Sequence, residues 1–318
     1  MSSLHWWGGP PGPQPTPPSA CGSRGTRADQ GVRPTIVFDR MAARYDALWT
    51  ATPIGRAQRD LVWRDMDPLF QPGQRILDIG CGTGEDAAHF VARGVSVYAT
   101  DPSPAMIQVA AARGGFAVAV RSAEELAQID GPFDGAISNF GALNCVKDLP
   151  SVARSLAALV RPGGSLAICI LGRFCAWETL HYAVRFQFAK AFRRWRGRAR
   201  FVGQVDNLQR VGNPLADASE SPKGAGNQPA RRMPSCPTMQ VPPGIMVHYP
   251  TVAEIRAAFA PNFELQRWTG IGLLVPPSYV KLPRALVAVL AACDRLLARL
   301  PLLRALADHR LFLLVRIC

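Results

Sequence analysis

An α/β fold built on an open, mostly parallel sheet is what this sequence predicts, and three observations predict it. The first is the stretch Arg75-Ile-Leu-Asp-Ile-Gly-Cys-Gly-Thr-Gly-Glu-Asp86, where the apolar run Ile76, Leu77 and Ile79 stops at Gly80, Gly82 and Gly84. Ala87, Ala88, Phe90 and Val91 follow at helical spacing, so a buried strand, a glycine turn and a helix succeed one another. Open α/β sheets make their ligand cleft from that unit, at the carboxyl end of the first strand. The second is Asp101, which closes the next alternating strand 21 residues past Gly80. An acid at that distance suits a ribose diol, because a carboxylate can accept both hydroxyl protons. The third is the alternation of strand-like and helix-like segments out to residue 171.

Two ligand classes compete for the glycine turn. A dinucleotide fingerprint counted from Gly80 needs its third glycine at position 85, where the chain has Glu85, a charge that opposes a pyrophosphate. The spacing G-x-G-x-G, with Asp78 two residues before it, instead resembles the motif of class I S-adenosylmethionine-dependent methyltransferases. Their cofactor has no phosphates and carries a sulfonium and an ammonium, so nearby acids help. The resemblance implies a Rossmann-like fold of seven strands in the order 3-2-1-4-5-7-6, with S-adenosyl-L-methionine as cofactor. It also implies cofactor contacts from Asp78, Gly80, Cys81, Gly82 and Gly84.

Taken in order, residues 1–33 are rich in Pro, Gly and Ser and read as a disordered tail, or as residues ahead of the true start. A core over 34–172 follows. Phe38, Met41, Tyr45 and Leu48 fall on one helical face; a helix that merely covers the sheet would also satisfy this spacing. Phe38-Asp-Arg-Met-Ala-Ala-Arg-Tyr-Asp-Ala-Leu-Trp49 is similar to the opening of the quinone-biosynthesis C-methyltransferases, which implies a lid over the cofactor with Tyr45 near it. Residues 56–70 read as a second helix and Val95–Thr100 as the second strand. Asp101-Pro-Ser-Pro-Ala-Met106 resembles the family's continuation, placing Pro102 and Met106 beside the adenine, while Ser103 caps the next helix. Phe116–Val120 is the third strand. Ala123 and Glu124 match the turn that meets the adenine amino group, although Glu124 also reads as a first-turn helix acid. Pro132–Asn144 reads as the fourth strand and its exit loop, Asp134 matching the family's usual strand start, and the resemblance puts Asn139 where the reacting methyl would be presented. Phe140-Gly-Ala-Leu-Asn144 resembles the quinone enzymes, except that Leu143 replaces their usual arginine. The (N/D)-P-P-(Y/F) tetrad of amino-methylating enzymes is absent. A helix over 151–159 leads through Arg161-Pro-Gly-Gly164 to the fifth strand, Ser165–Leu171.

Residues 173–249 read as a helical cap inserted after strand five, with a flexible insertion at 203–243. Between 185 and 200 there are seven Arg/Lys and no acid, interleaved with Phe186, Phe188, Phe192 and Trp195. A solvated helix with an aromatic face over the substrate, an anionic membrane surface and a phosphate backbone all fit, the membrane being favoured over nucleic acid. Residues 250–318 complete the sheet, with a capping box at Thr251 and Glu254, a sixth strand over Phe263–Leu274, apolar helices over Leu282–Leu306 and a last strand over Leu311–Ile317.

The net charge of +13 is carried by these additions, since residues 34–170 hold 12 basic and 14 acidic side chains. No window has the run of about 18 apolar residues that a membrane span needs, and residues 1–33 lack the basic start and apolar run of a secretory leader. Eight cysteines with no C-x-x-C point away from structural zinc and toward the reduced thiols of a cytoplasm, peripheral to the membrane if the basic cap docks there. Methyl transfer from a sulfonium needs alignment and water exclusion more than a base. Tyr45, His181, His248 and Tyr249 are the candidate bases, none singled out, and Cys81 reads as a small loop residue. The expected acceptor is a small hydrophobic molecule (a quinone, lipid or secondary metabolite); the alternatives are an RNA methyltransferase that uses the basic insert and a non-catalytic cofactor-binding protein.

Overall fold

In the computed structural model, which describes residues 35–201, 245–278 and 280–317, β1 (Arg75–Ile79) lies inside a seven-stranded sheet. Its parallel neighbours are β2 (Ser96–Asp101) and β4 (Phe133–Ser138). A parallel strand covered on both faces must be apolar throughout, and Ile76, Leu77 and Ile79 are each at most 1 % exposed. β3 (Ala117–Val120) borders β2, and β5 (Val160–Leu171) borders β4. β9 (His309–Arg316) runs antiparallel between β5 and β8 (Phe263–Ile271). The order β3-β2-β1-β4-β5-β9-β8 is the methyltransferase order expected from the sequence, with the last strand reversed and inserted.

Side-chain alternation along the strands divides the core between two faces. Ile76 joins a cluster with α2 (Pro53–Met66), α3 (Glu85–Ala92), α4 (Pro104–Arg113) and α9 (Arg284–Leu297). Leu77 and Ile79 point the other way, into a cluster with α5 (Leu149–Leu159) and α8 (Val252–Phe259). Helix starts fall where cap chemistry puts them: Ser103 Oγ accepts from Met106 N at 3.2 Å, and Thr251 and Glu254 form a reciprocal capping box. At the N-terminal side, α1 (Thr35–Tyr45) continues into a π-helical turn, Asp46–Thr50.

The cap differs from the helical reading of its first part, before the insertion at 203–243. It breaks into α6 (Ala176–Ala183), the short α7 (Phe188–Ala191) and a 3₁₀ turn (Arg193–Arg196). It then ends in β6 (Arg198–Phe201), paired antiparallel with β7 (Ile245–His248). The first break is at Phe186, whose φ of 58° cannot continue a right-handed helix. The sixth strand is also shorter than expected, ending at Ile271 before Gly272 at φ 73°. The tail over 1–33 and the insertion over 203–243 lie outside the described residues.

Candidate active site

A cavity of about 560 Å³ lies over the carboxyl ends of β1 to β4, lined by residues from the turns that follow each strand. The sequence motifs converge on it. Tyr45, Gly80, Cys81, Gly82, Asp101, Pro102, Met106, Ala123, Glu124 and Asn139 all line it. Two of the expected contacts do not. Asp78 is buried beneath the lining, 1 % exposed, and its Oδ2 has no hydrogen-bond partner among the described residues. Gly84 caps α3 at φ 79°, and a Cβ there would come 2.8 Å from the Phe116 ring and 3.0 Å from Ala110. Gly84 therefore serves close helix packing rather than the cavity wall.

The glycine turn is held by the second strand. The amides of Gly80 and Cys81 both donate to Thr100 O, at 2.7 and 2.9 Å. Gly80 takes φ 70°, and a Cβ on it would lie 2.2 Å from that of Ala142. Gly82, at φ 54°, has open space where a Cβ would be. Asp101 ties the turn to its own loop: Oδ2 accepts from Gly82 N at 3.0 Å and Oδ1 from Ser103 N at 2.9 Å. Burial nevertheless pushes its carboxyl up to about 6, the two amide donors offsetting only part of the effect. Asp78 is raised well above the usual carboxylate range, by burial first and then by the neighbouring Asp86 charge.

The α1 helix and the turn after it are clamped by two acids that the sequence did not single out. Asp39 Oδ1 accepts from Ser103 Oγ at 2.5 Å and from Ala105 N at 3.3 Å, fastening α1 to the start of α4. Asp46 accepts from Thr83 Oγ1 at 2.6 Å and pairs with Arg113, which also reaches Glu85 at 2.8 Å. The π-helical turn that Asp46 opens, a form frequent at functional sites, carries Trp49 edge-on to Phe140, with ring centroids 4.6 Å apart. Arg59 completes this wall. Its guanidinium sits 4.8 Å from the Trp49 ring and 4.9 Å from the Phe140 ring, and it pairs with Asp86. Asp86 also accepts from Trp63 Nε1 at 2.7 Å. Burial disfavours its charge, yet Arg59, Trp63 and Asn139 together hold its carboxyl below the usual range. The Arg59 Nε is buried without a partner among the described residues. The available sequence signal was an arginine set on the buried face of α2 beside Ile54, Leu61 and Val62.

Candidate bases fare poorly. Tyr45 is pushed up to about 12, chiefly by burial, so it stays protonated at neutral pH. Tyr249 is fully buried in a cluster with Val37, Met41 and Leu171, and neither His181 nor His248 lines the cavity. Burial raises Cys81, and Cys145 to about 11, so both stay protonated thiols at neutral pH.

The residues present fit S-adenosylmethionine. An unpartnered Asp78 oxygen lies beneath the lining, and Asp86 and Asp101 line the cavity. These acids suit a ligand with two cationic centres. Gly82 leaves room for close approach, and Arg59 offers a cation to a carboxylate. Comparisons with known proteins agree with this geometry. Residues 54–209 match the family model described as a methyltransferase domain. A demethylmenaquinone methyltransferase of Mycolicibacterium paratuberculosis is 34 % identical over 150 residues, covering 45 % of this chain and 63 % of the relative. The nocamycin O-methyltransferase of Saccharothrix syringae is 36 % identical over 144 residues, covering 42 % of this chain and 49 % of the relative. The chain thus spans less than two thirds of either relative's length. Among solved structures, the [4+2]-cyclase SpnF superposes with a TM-score of 0.50 at 15 % identity, over 89 % of this chain and 94 % of that one, a likeness of fold alone.

Proposed function

We propose that this chain, whose residues 54–209 match the methyltransferase-domain family model, transfers a methyl group from S-adenosylmethionine to a small hydrophobic acceptor such as a quinone, lipid or secondary metabolite. The observation that carries the reading is the aromatic wall of Phe38, Tyr45, Trp49 and Phe140 facing the acids and glycines of the same cavity. The names of the two curated relatives support acceptors of this size.

When bound, the cofactor supplies a methyl carbon that already bears an excellent leaving group. The chain's own residues have simpler tasks. Asp101, once ionised, accepts from the ribose hydroxyls, and Pro102, Met106, Ala123 and Glu124 receive the adenine. Asp86 offsets the positive charge of the ligand, and Arg59 takes the ligand's carboxylate. Asn139, whose Oδ1 is buried and unpartnered among the described residues, orients the acceptor beside the methyl group. Trp49 and Phe140 exclude water, and protonated Tyr45 can donate a hydrogen bond to an acceptor oxygen. Proximity supplies most of the acceleration, so the transfer requires no dedicated base.

The test is incubation with methyl-labelled S-adenosylmethionine and a cell extract, followed by counting of the lipid, small-molecule, RNA and protein fractions. Label in the organic-soluble fraction is expected. Label confined to RNA or protein would replace the acceptor class, and cofactor binding without any labelled product would remove the transferase reading.

A further inference from the structure

We propose that the cap segment 180–196 docks on an anionic lipid bilayer, holding the mouth of the cavity at the membrane surface; this rests on reading the acceptor as a hydrophobic molecule. The cations of the segment divide into two groups. Arg193 and Arg194 are taken up by buried Glu178, at 2.8 and 2.6 Å, and Arg194 also meets Asp308 at 2.9 Å, which pins the cap to the start of β9. Arg185, Lys190 and Arg196 stand exposed on the surface and meet no carboxylate among the described residues. Six apolar side chains stand in water on the same segment: Leu180, Val184, Phe186, Phe188, Phe192 and Trp195, with Phe186 at 82 % exposure. Phe186 holds a left-handed backbone that costs a bulky residue energy, yet its ring gains no burial in return. Apolar surface gathered in this way and ringed by cations marks an interaction site.

The chemistry favours a bilayer over nucleic acid. Leu180 and Val184 cannot stack on bases and would stay wet against a phosphate backbone, whereas both can enter the boundary between headgroups and acyl chains. Aromatic rings prefer that depth, and the three cations meet anionic headgroups. A second exposed apolar run, Leu296, Leu300 and Leu302, leaves the fold at the same edge of the sheet. β5 and β8 both end opposite His309, and Gly270 N donates to Ala298 O at 3.0 Å. That edge is the one over which the cavity lies, so docking lets a lipid-dissolved acceptor enter without crossing water.

Flotation of the full chain with phosphatidylcholine vesicles, with and without phosphatidylserine, tests the proposal. Binding should require the anionic lipid and weaken with salt. The triple variant R185Q/K190Q/R196Q should lower affinity by roughly a hundredfold, about fivefold per cation. F186S/F188S, which removes only exposed apolar area, should lower it by about tenfold or more. Either variant binding vesicles like the unaltered chain, or capture by an RNA homopolymer in preference to anionic vesicles, would overturn the docking. S-adenosylmethionine titrations on the same preparations separate the two readings. Vesicle binding by a chain that ignores the cofactor would remove the transferase, and cofactor binding by a chain that ignores vesicles would remove the docking.

Discussion

Replacing Asp101 by Asn should move stability and cofactor affinity in opposite directions as pH rises. In the folded chain burial lifts this carboxyl from near 3.8 to about 6. The folded state therefore holds the proton more tightly than the unfolded state, so the group's contribution is fully present below about 4 and is lost as pH rises through 6. At about 1.4 kcal/mol per tenfold change in proton affinity the whole loss is about 3 kcal/mol, of which about 1 kcal/mol falls between pH 5 and 7. Asp101→Asn removes the titration. The amide also sets an N–H donor against one of the two backbone donors, Gly82 N or Ser103 N, a cost that does not change with pH. Comparing the two proteins by urea unfolding at several pH values cancels that constant cost. The variant should gain about 1 kcal/mol on the wild type between pH 5 and 7 without ligand. Affinity for S-adenosylmethionine at pH 7.5 should fall by about 1.5–3 kcal/mol, because a charged acceptor for the ribose is lost. Below pH 6 the affinity gap should narrow, as the wild-type carboxyl becomes protonated. Parallel stability curves for the two proteins, or equal affinities at pH 7.5, would refute the assignment.

Three further outcomes follow from the same coordinates. Gly80→Ala drives a Cβ into Ala142 and should cost about 2–5 kcal/mol of stability in thermal scans, whereas Gly82→Ala meets nothing within 4 Å and should cost about 1–2 kcal/mol while losing cofactor affinity more severely. Arg59→Met leaves Asp86 buried without its cation and should cost about 3–5 kcal/mol in urea unfolding; adding Asp86→Asn should restore most of that stability but not turnover. Thr251→Ala removes the side-chain half of the capping box, the residue-251 amide still donating to Glu254, and should lower stability by about 1 kcal/mol with turnover unchanged, as paired melting and label-transfer assays would register.

The fold was legible because its signals are local. An apolar strand, a glycine turn and an acid about twenty residues later can be read within one βαβ unit, and Gly80, Gly82 and Asp101 are found together where that reading put them. The site's remaining machinery depends on long-range contacts. Asp46 reaches Arg113 across 67 residues, Asp39 reaches Ser103 across 64 and Arg59 reaches Asp86 across 27, distances at which periodicity carries no information. Gly84 was drawn into the cofactor set by spacing alone, because sequence cannot tell a glycine that admits a ligand from one that admits a neighbouring ring. The cap was misread for a related reason. Arg185-Phe186-Gln187 contains no glycine or proline to mark the turn, so a left-handed phenylalanine passed for helix.

Calorimetric titration of S-adenosylmethionine into the wild-type chain, Gly82→Ala and Asp101→Asn tests most directly whether the cavity over β1 to β4 is the cofactor site. Saturable binding at one site per chain is expected, weakened in both variants while Thr251→Ala binds as the wild type does. Absence of binding to the folded wild-type chain, or one affinity shared by all four proteins, would contradict the account.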